Sequence, residues 1–141
     1  MEIIQSDISS PEVLGLFSQL DDFMIDFLGE DKIYYTKYNI NEGLDAAWIA
    51  YSNGLPVGCT AFRSKLPGTG EVKRMFVKED HRGFGISKLL SAVEEHAGNC
   101  GIHTLLLSTR LTLVPAISLY RSFGFVETFR KDLYVRMEKR L

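Results

Sequence analysis

The sequence predicts an α/β domain built on one mixed, mostly antiparallel sheet, and three observations carry that reading. Asn53-Gly54 joins two β-favouring runs as a tight hairpin, a glycine-bearing loop around Arg82, Gly83 and Gly85 joins a strand-like run to a helix-like one, and another strand follows that helix. Tight turns pair strands antiparallel, whereas a crossover helix pairs them parallel. A length of 141 residues and 45% hydrophobic content suit one domain, residues 1–141, with a single core.

Taken in order, Glu2 to Gln5 is a short strand. Ser9 or Ser10 can then cap a helix with Pro11 in its first position, and Val13, Leu16, Phe17, Leu20, Met24, Phe27 and Leu28 trace an apolar stripe that stops at Gly29. A break near Asp21-Asp22 would split it in two. Its polar side carries Asp21, Asp22 and Asp26, with Glu30 and Asp31 beyond, and reads either as a solvated face or as a lure for a cationic amine. Residues 33–44 are irregular, with Tyr34, Tyr35 and Tyr38 suited to packing the loop or lining a pocket, and a turn at Asn41 to Gly43. Ala46 to Tyr51, Val57 to Phe62 and Gly70 to Val77 then form a meander, the last turn lying at Pro67-Gly68. The next helix runs from Gly85 or Ile86 to Gly98-Asn99 with Leu89, Leu90, Val93 and Ala97 on one stripe, and Thr104 to Ser108 is a buried parallel strand.

Composition excludes several partners. A net charge of −2 offers no basic footprint for nucleic acid, and no apolar run is long enough to span a membrane, so a soluble cytoplasmic protein is expected. Cys59 and Cys100 show no C-x-x-C spacing and read as reduced thiols, and His81, His96 and His103 form no set at metal spacing, so no metal is expected.

The glycine loop is where chemistry concentrates. A strand, a glycine turn and a helix N-terminus with unsatisfied N–H groups make an anion site, and a bulky residue at Gly85 is expected to block its guest. No Walker loop occurs, and a dinucleotide fingerprint lacks its third glycine and its acidic residue. Arg82, Gly85 and Ser87 occupy the three fixed places of Arg/Gln-x-x-Gly-x-Gly/Ala, and the segment resembles motif A of the GNAT superfamily of acetyl-CoA-dependent N-acetyltransferases. Pro115 to Phe125, with Ala116, Ile117, Leu119, Tyr120, Gly124 and Phe125, is similar to that superfamily's motif B.

The resemblance, from about Trp48 to the strand Leu133 to Glu138, implies a GNAT-like twisted sheet flanked by helices, with a parallel, splayed strand pair at the cofactor site. It implies acetyl-CoA as cosubstrate, held by Met75, Phe76, Val77 and the run Arg82, Gly83, Phe84, Gly85, Ile86 and Ser87. A backbone N–H of the Met75 to Val77 strand would receive the oxyanion. Glu71 is the implied base, unless a water relay serves instead and Glu71 is only an exposed strand carboxylate or a partner of Lys73 or Arg74, and Tyr120 is the implied acid for the coenzyme A thiolate. Ser87 stands where the family has Gly or Ala, and Leu113 where many members have Asn. The acceptor is a primary amine of a small molecule or peptide, transfer is direct, and a homodimer is compatible with the resemblance. Two readings compete with an acetyltransferase: a catalytically silent acetyl-CoA sensor, and an unrelated nucleotide binder that would prefer ATP or NAD.

Overall fold

The computed structural model describes residues 1–28 and 43–141. Strands β1 (Glu2–Ser6), β2 (Ala46–Ser52), β3 (Leu55–Leu66), β4 (Thr69–Val77), β5 (Thr104–Arg110), β6 (Val126–Lys131) and β7 (Tyr134–Arg140) accompany helices α1 (Pro11–Leu28), α2 (Arg82–Asn99) and α3 (Val114–Ser122). They form a seven-stranded sheet of order β1-β2-β3-β4-β5-β7-β6, in which the β4–β5 pair is parallel and every other pair antiparallel. The expected mixed, mostly antiparallel α/β sheet is present.

Local chemistry accounts for most turns. Asn53 and Gly54 both take positive φ, 52° and 79°, the conformation whose twist matches a two-residue hairpin. Ser10 caps α1, its Oγ accepting from the Val13 N–H at 3.3 Å. The helix runs unbroken through Asp21-Asp22, because Asp21 turns to a buried partner on the sheet and Asp22 stays exposed. Of the side chains of Phe27 and Leu28 nothing is described, and the expectations for Gly29 as a stop, for Glu30 and Asp31, and for the tyrosine-rich segment up to residue 42 fall outside the described residues.

Helix α2 begins three residues earlier than its sequence suggests. A short 3-10 turn, Glu79–His81, reverses the chain, so Gly83 and Gly85 lie within the first helical turn instead of in a loop before it. Its stripe Ile86, Leu89, Leu90, Val93 and Ala97 is buried against Phe62, Val72, Leu105, Leu107, Val135 and Met137 on one face of the sheet. Helix α1 buries Val13, Leu16 and Phe17 against Ala47, Ile49, Cys59 and Ala61 on the other. Ala61 faces Lys73 in the ladder, so α1 covers the same face that carries Glu71 and Lys73.

Candidate active site

The site is a gap in the sheet. β4 and β5 are paired only from Thr69, Gly70 and Glu71 to Thr104, Leu105 and Leu106; beyond that β4 keeps β3 and β5 keeps β7, and the two part. The β5-facing edge of β4 after Glu71 therefore has no strand partner. A cavity of about 860 Å³ fills the opening, with Met75, Phe76 and Val77 on one wall, Leu107, Ser108 and Thr109 on the other, and Tyr120 at its side.

A bulge aims the β4 wall. Cys59 faces Phe76 and Ala61 faces Lys73, so Arg74 and Met75 oppose a single residue of β3, and Arg74 takes φ 57°. A non-glycine residue in that conformation costs about 1–2 kcal/mol, and the surroundings hold it there. The Arg74 guanidinium is buried, pairs with Asp21 and lies 5.3 Å from the Phe17 ring centre. The Thr60 hydroxyl donates to the Lys73 carbonyl at 3.0 Å, and the Cys59 thiol donates to the Arg74 carbonyl at 3.5 Å. Burial pushes the Cys59 thiol up to about 12, so it stays protonated and inert, as a donor must.

The α2 N-terminus closes the far end of β4. Its cap residue His81 makes no side-chain capping bond and the first turn carries no acid, so the initial N–H groups meet no side-chain anion. Arg82 Nε donates to the Val77 carbonyl at 3.0 Å, and its guanidinium lies 5.0 Å from the Phe23 ring centre. A Cβ at Gly83 would meet open space, but one at Gly85 would stand 2.9 Å from Val77 Cγ1. Gly85 thus faces β4 and not the opening, because close helix–strand packing needs it. Gly85→Val is expected to destabilise the fold by about 1–3 kcal/mol through overpacking, measured by urea denaturation, instead of blocking the site directly.

Glu71 is the one carboxylate among the described residues lining the cavity, and it is surrounded by cations. Its carboxylate meets Arg63 at 2.6 Å, Lys65 at 3.5 Å and Lys73 at 3.7 Å, and its side chain is 7% exposed. Burial alone would raise the carboxyl, but the charges of Lys73, Lys65 and Arg63, with the Arg63 hydrogen bond, outweigh it and hold Glu71 below the usual carboxylate value. Burial in turn lowers Lys73, and its attraction to Glu71 restores only part of that. Tyr120 is buried, edge-on to Phe125 at 6.1 Å between ring centres, and burial raises its phenol far above neutrality. Leu113, at the start of α3, packs with Leu20, Met24, Phe23 and Phe76 beside the cavity. Where many members carry a polar Asn, this chain closes the wall with apolar contact.

A splayed parallel pair, a strand bulge at the opening and an uncapped helix N-terminus beside it form one assembly, and the comparisons match it. Residues 16–125 fit the family model described as Acetyltransferase (GNAT) family. The chain belongs to the GNAT family. An IAA acetyltransferase of Azospirillum brasilense is 41% identical over 81 residues, 56% of this chain and 53% of that protein, so the match spans about half of its length. An uncharacterized N-acetyltransferase of Schizosaccharomyces pombe is 30% identical over 136 residues, 84% of this chain and 83% of that one. Among solved structures, a Klebsiella pneumoniae protein assigned to the acyl-CoA N-acyltransferases superposes with a TM-score of 0.80 at 30% identity, covering 99% of this chain and 97% of that chain.

Within this GNAT site, Glu71, Met75, Phe76, Val77, Arg82, Ile86 and Tyr120 line the cavity. Gly83, Phe84, Gly85 and Ser87 do not; Phe84 is exposed with Lys88 over its ring at 5.0 Å, and Ser87 sits on the first turns of α2. Of the acidic cluster, Asp21 is paired with Arg74, and Asp22 and Asp26 are exposed and not part of the cavity lining; Glu30 and Asp31 lie outside the described residues. Sequence reasoning passed over the basic lining, although Arg63, Lys65, Glu71 and Lys73 alternate along two strands and so share one face. No helix among the described residues is long and apolar enough to cross a membrane, and no group of three metal-ligating side chains occurs among them.

Proposed function

We propose that the protein is an N-acetyltransferase that moves an acetyl group from acetyl-CoA directly to a primary amine. The observation that carries this is the parting of β4 and β5 beyond Glu71 and Leu106, which leaves an unpaired strand edge between an anion-ready helix N-terminus and a protonated phenol. In this reading the first two turns of α2, from Arg82 to Ser87, receive the pyrophosphate, the Met75 to Val77 edge pairs with the pantetheine amides, and a backbone N–H there receives the oxyanion. Tyr120 protonates the departing thiolate, and the bulge at Arg74 orients the strand edge for attack.

Deprotonating the acceptor is the harder step. An amine of pKa near 10.4 is neutral in only about one molecule in a few thousand at pH 7. Arg63, Lys65 and Lys73 raise the cost of an ammonium beside them, so the pocket itself favours the neutral amine. Glu71 is already ionised and takes the proton, directly or through one water, once bond formation to the acyl carbon has acidified the nitrogen. A weak base suffices at that stage. A homodimer is a separate proposal, for which sedimentation is the measurement.

Calorimetry with acetyl-CoA, ATP and NAD, followed by thiol release from acetyl-CoA over a panel of amines, tests the reading. Acetyl-CoA is expected to bind best and at least one amine to be acetylated. Binding without transfer to any amine would assign the site to a sensor, and a preference for ATP or NAD would remove the acetyltransferase reading.

A further inference from the structure

The sheet face that carries Glu71 continues as a basic surface across the opening. Ladder registers place Glu71 opposite Leu106, Ser108 opposite Arg136, Arg110 opposite Tyr134, and Lys131 opposite Tyr134. Side chains alternate between faces, so Arg63, Lys65, Lys73, Arg110, Arg136 and Lys131 share one face of five strands, and all six line the cavity. Three of them are tied to Glu71. On the β5–β7–β6 side no carboxylate among the described residues lines the cavity; Glu138, opposite Leu106, shares the face but is not part of the lining. The Arg110 guanidinium lies buried 5.1 Å from the Tyr134 ring centre.

We infer that the acceptor is an anionic amine, a small molecule carrying a carboxylate or phosphate besides its primary amine, with the anion docked by Arg136 and Lys131 and the amine directed toward Glu71. The inference rests on the acetyltransferase reading and deepens it. Two considerations separate this anion site from the coenzyme's own phosphates. From Glu71 to Val77, whose carbonyl accepts from Arg82 at the start of α2, β4 extends roughly 20 Å, so the helix N-terminus lies at the other end of the strand. From Glu71 to Arg136 the sheet steps across two strands and two residues along, roughly 12 Å, which a molecule with several bonds between amine and anion spans. Like charges disfavour the bound ammonium, and the distal anion supplies the attraction that brings such an amine in. Polyamines and aminoglycosides carry only positive charge and meet repulsion at both ends.

Matched acceptors test this. Thiol release is followed with glucosamine 6-phosphate against glucosamine, with glycylglutamate against its diamide, and with spermidine, while acetyl-CoA affinity is measured separately by calorimetry. The anionic member of at least one pair is expected to exceed its neutral partner by about tenfold or more in kcat/KM, the scale of one charged hydrogen bond, with spermidine slowest. The phosphate and carboxylate pairs show which anion is preferred. In Arg136→Gln and Lys131→Gln that ratio should fall about tenfold while acetyl-CoA affinity holds, and Arg136→Lys should recover part of it. Spermidine or the neutral members being preferred, ratios unmoved by both variants, or no member acetylated by a protein that binds acetyl-CoA would each overturn the inference and leave the coenzyme site standing. Failure to bind acetyl-CoA would instead remove the acetyltransferase reading and the inference with it.

Discussion

Tyr120→Phe is expected to lower turnover by about a hundredfold or more, the usual worth of a general acid, while acetyl-CoA binding should change little. The phenol is buried, and burial raises its pKa, so it carries its proton at neutral pH. Phenylalanine keeps the edge-on contact with Phe125 and the packing of α3, so stability should shift by less than about 1.5 kcal/mol. Steady-state thiol release and calorimetry with acetyl-CoA make the comparison on the same preparation. Turnover equal to wild type would take the acid role from Tyr120, and water would then have to protonate the thiolate.

Glu71→Gln carries the second large effect and acts on both rate and acid stability. The carboxylate holds Arg63, Lys65 and Lys73 together, and its loss leaves three cations facing one another, with a cost of about 2 kcal/mol once the partial exposure of the arginine and lysines is allowed for. The rate is expected to fall by tenfold to a hundredfold, roughly the worth of a general base. The folded pKa of Glu71 lies below its ordinary value of 4.5, so its stabilisation is fully present above that value and is lost as the pH falls through the folded one. Wild-type protein should therefore lose thermal stability on acidification below about pH 4.5, and Glu71→Gln should lose less over that window.

The same depressed pKa separates enzyme from substrate in the rate profile. Glu71 is ionised throughout the range above about pH 5, so a rise in rate between roughly pH 6 and 9 belongs to the acceptor amine and should move with the amine's pKa. Two acceptors of different basicity decide it. A limb that stays fixed while the amine changes, and vanishes in Glu71→Gln, would mean that the carboxylate titrates near neutrality in the working enzyme, contrary to its three ion pairs. Wild-type rate and profile in Glu71→Gln would limit Glu71 to organising its cations.

Much of the scaffold was legible because its causes are local. Asn53-Gly54 demands a tight hairpin, Ser10-Pro11 starts a helix, and the spacing of Ile86, Leu89, Leu90, Val93 and Ala97 is a single buried stripe. The start of α2 was not, since Gly83 and Gly85 look like loop residues until a preceding 3-10 turn takes over the reversal. Gly85 was legible as a close approach but not as to what it approaches, because the direction of an absent Cβ depends on where α2 sits against Val77.

By itself the sequence determined the sheet's meander and crossover, the glycine-led helix N-terminus, and the two motifs that carry Arg82 and Tyr120, all of which follow from residue type and short spacing. Only the tertiary structure decided what Glu71 and the acidic helix face do. Asp21 is 53 residues from Arg74, and Glu71 meets Arg63 and Lys65 across a ladder, so whether a carboxylate draws in an amine or neutralises a cation depends on pairings that no local pattern records. The basic face that lines the opening arises in the same way, from five strands brought side by side in register. The alternation of Arg63 with Lys65 and of Glu71 with Lys73 is visible in the chain, but the sum of the charges of all five strands on one face exists only once the sheet is assembled.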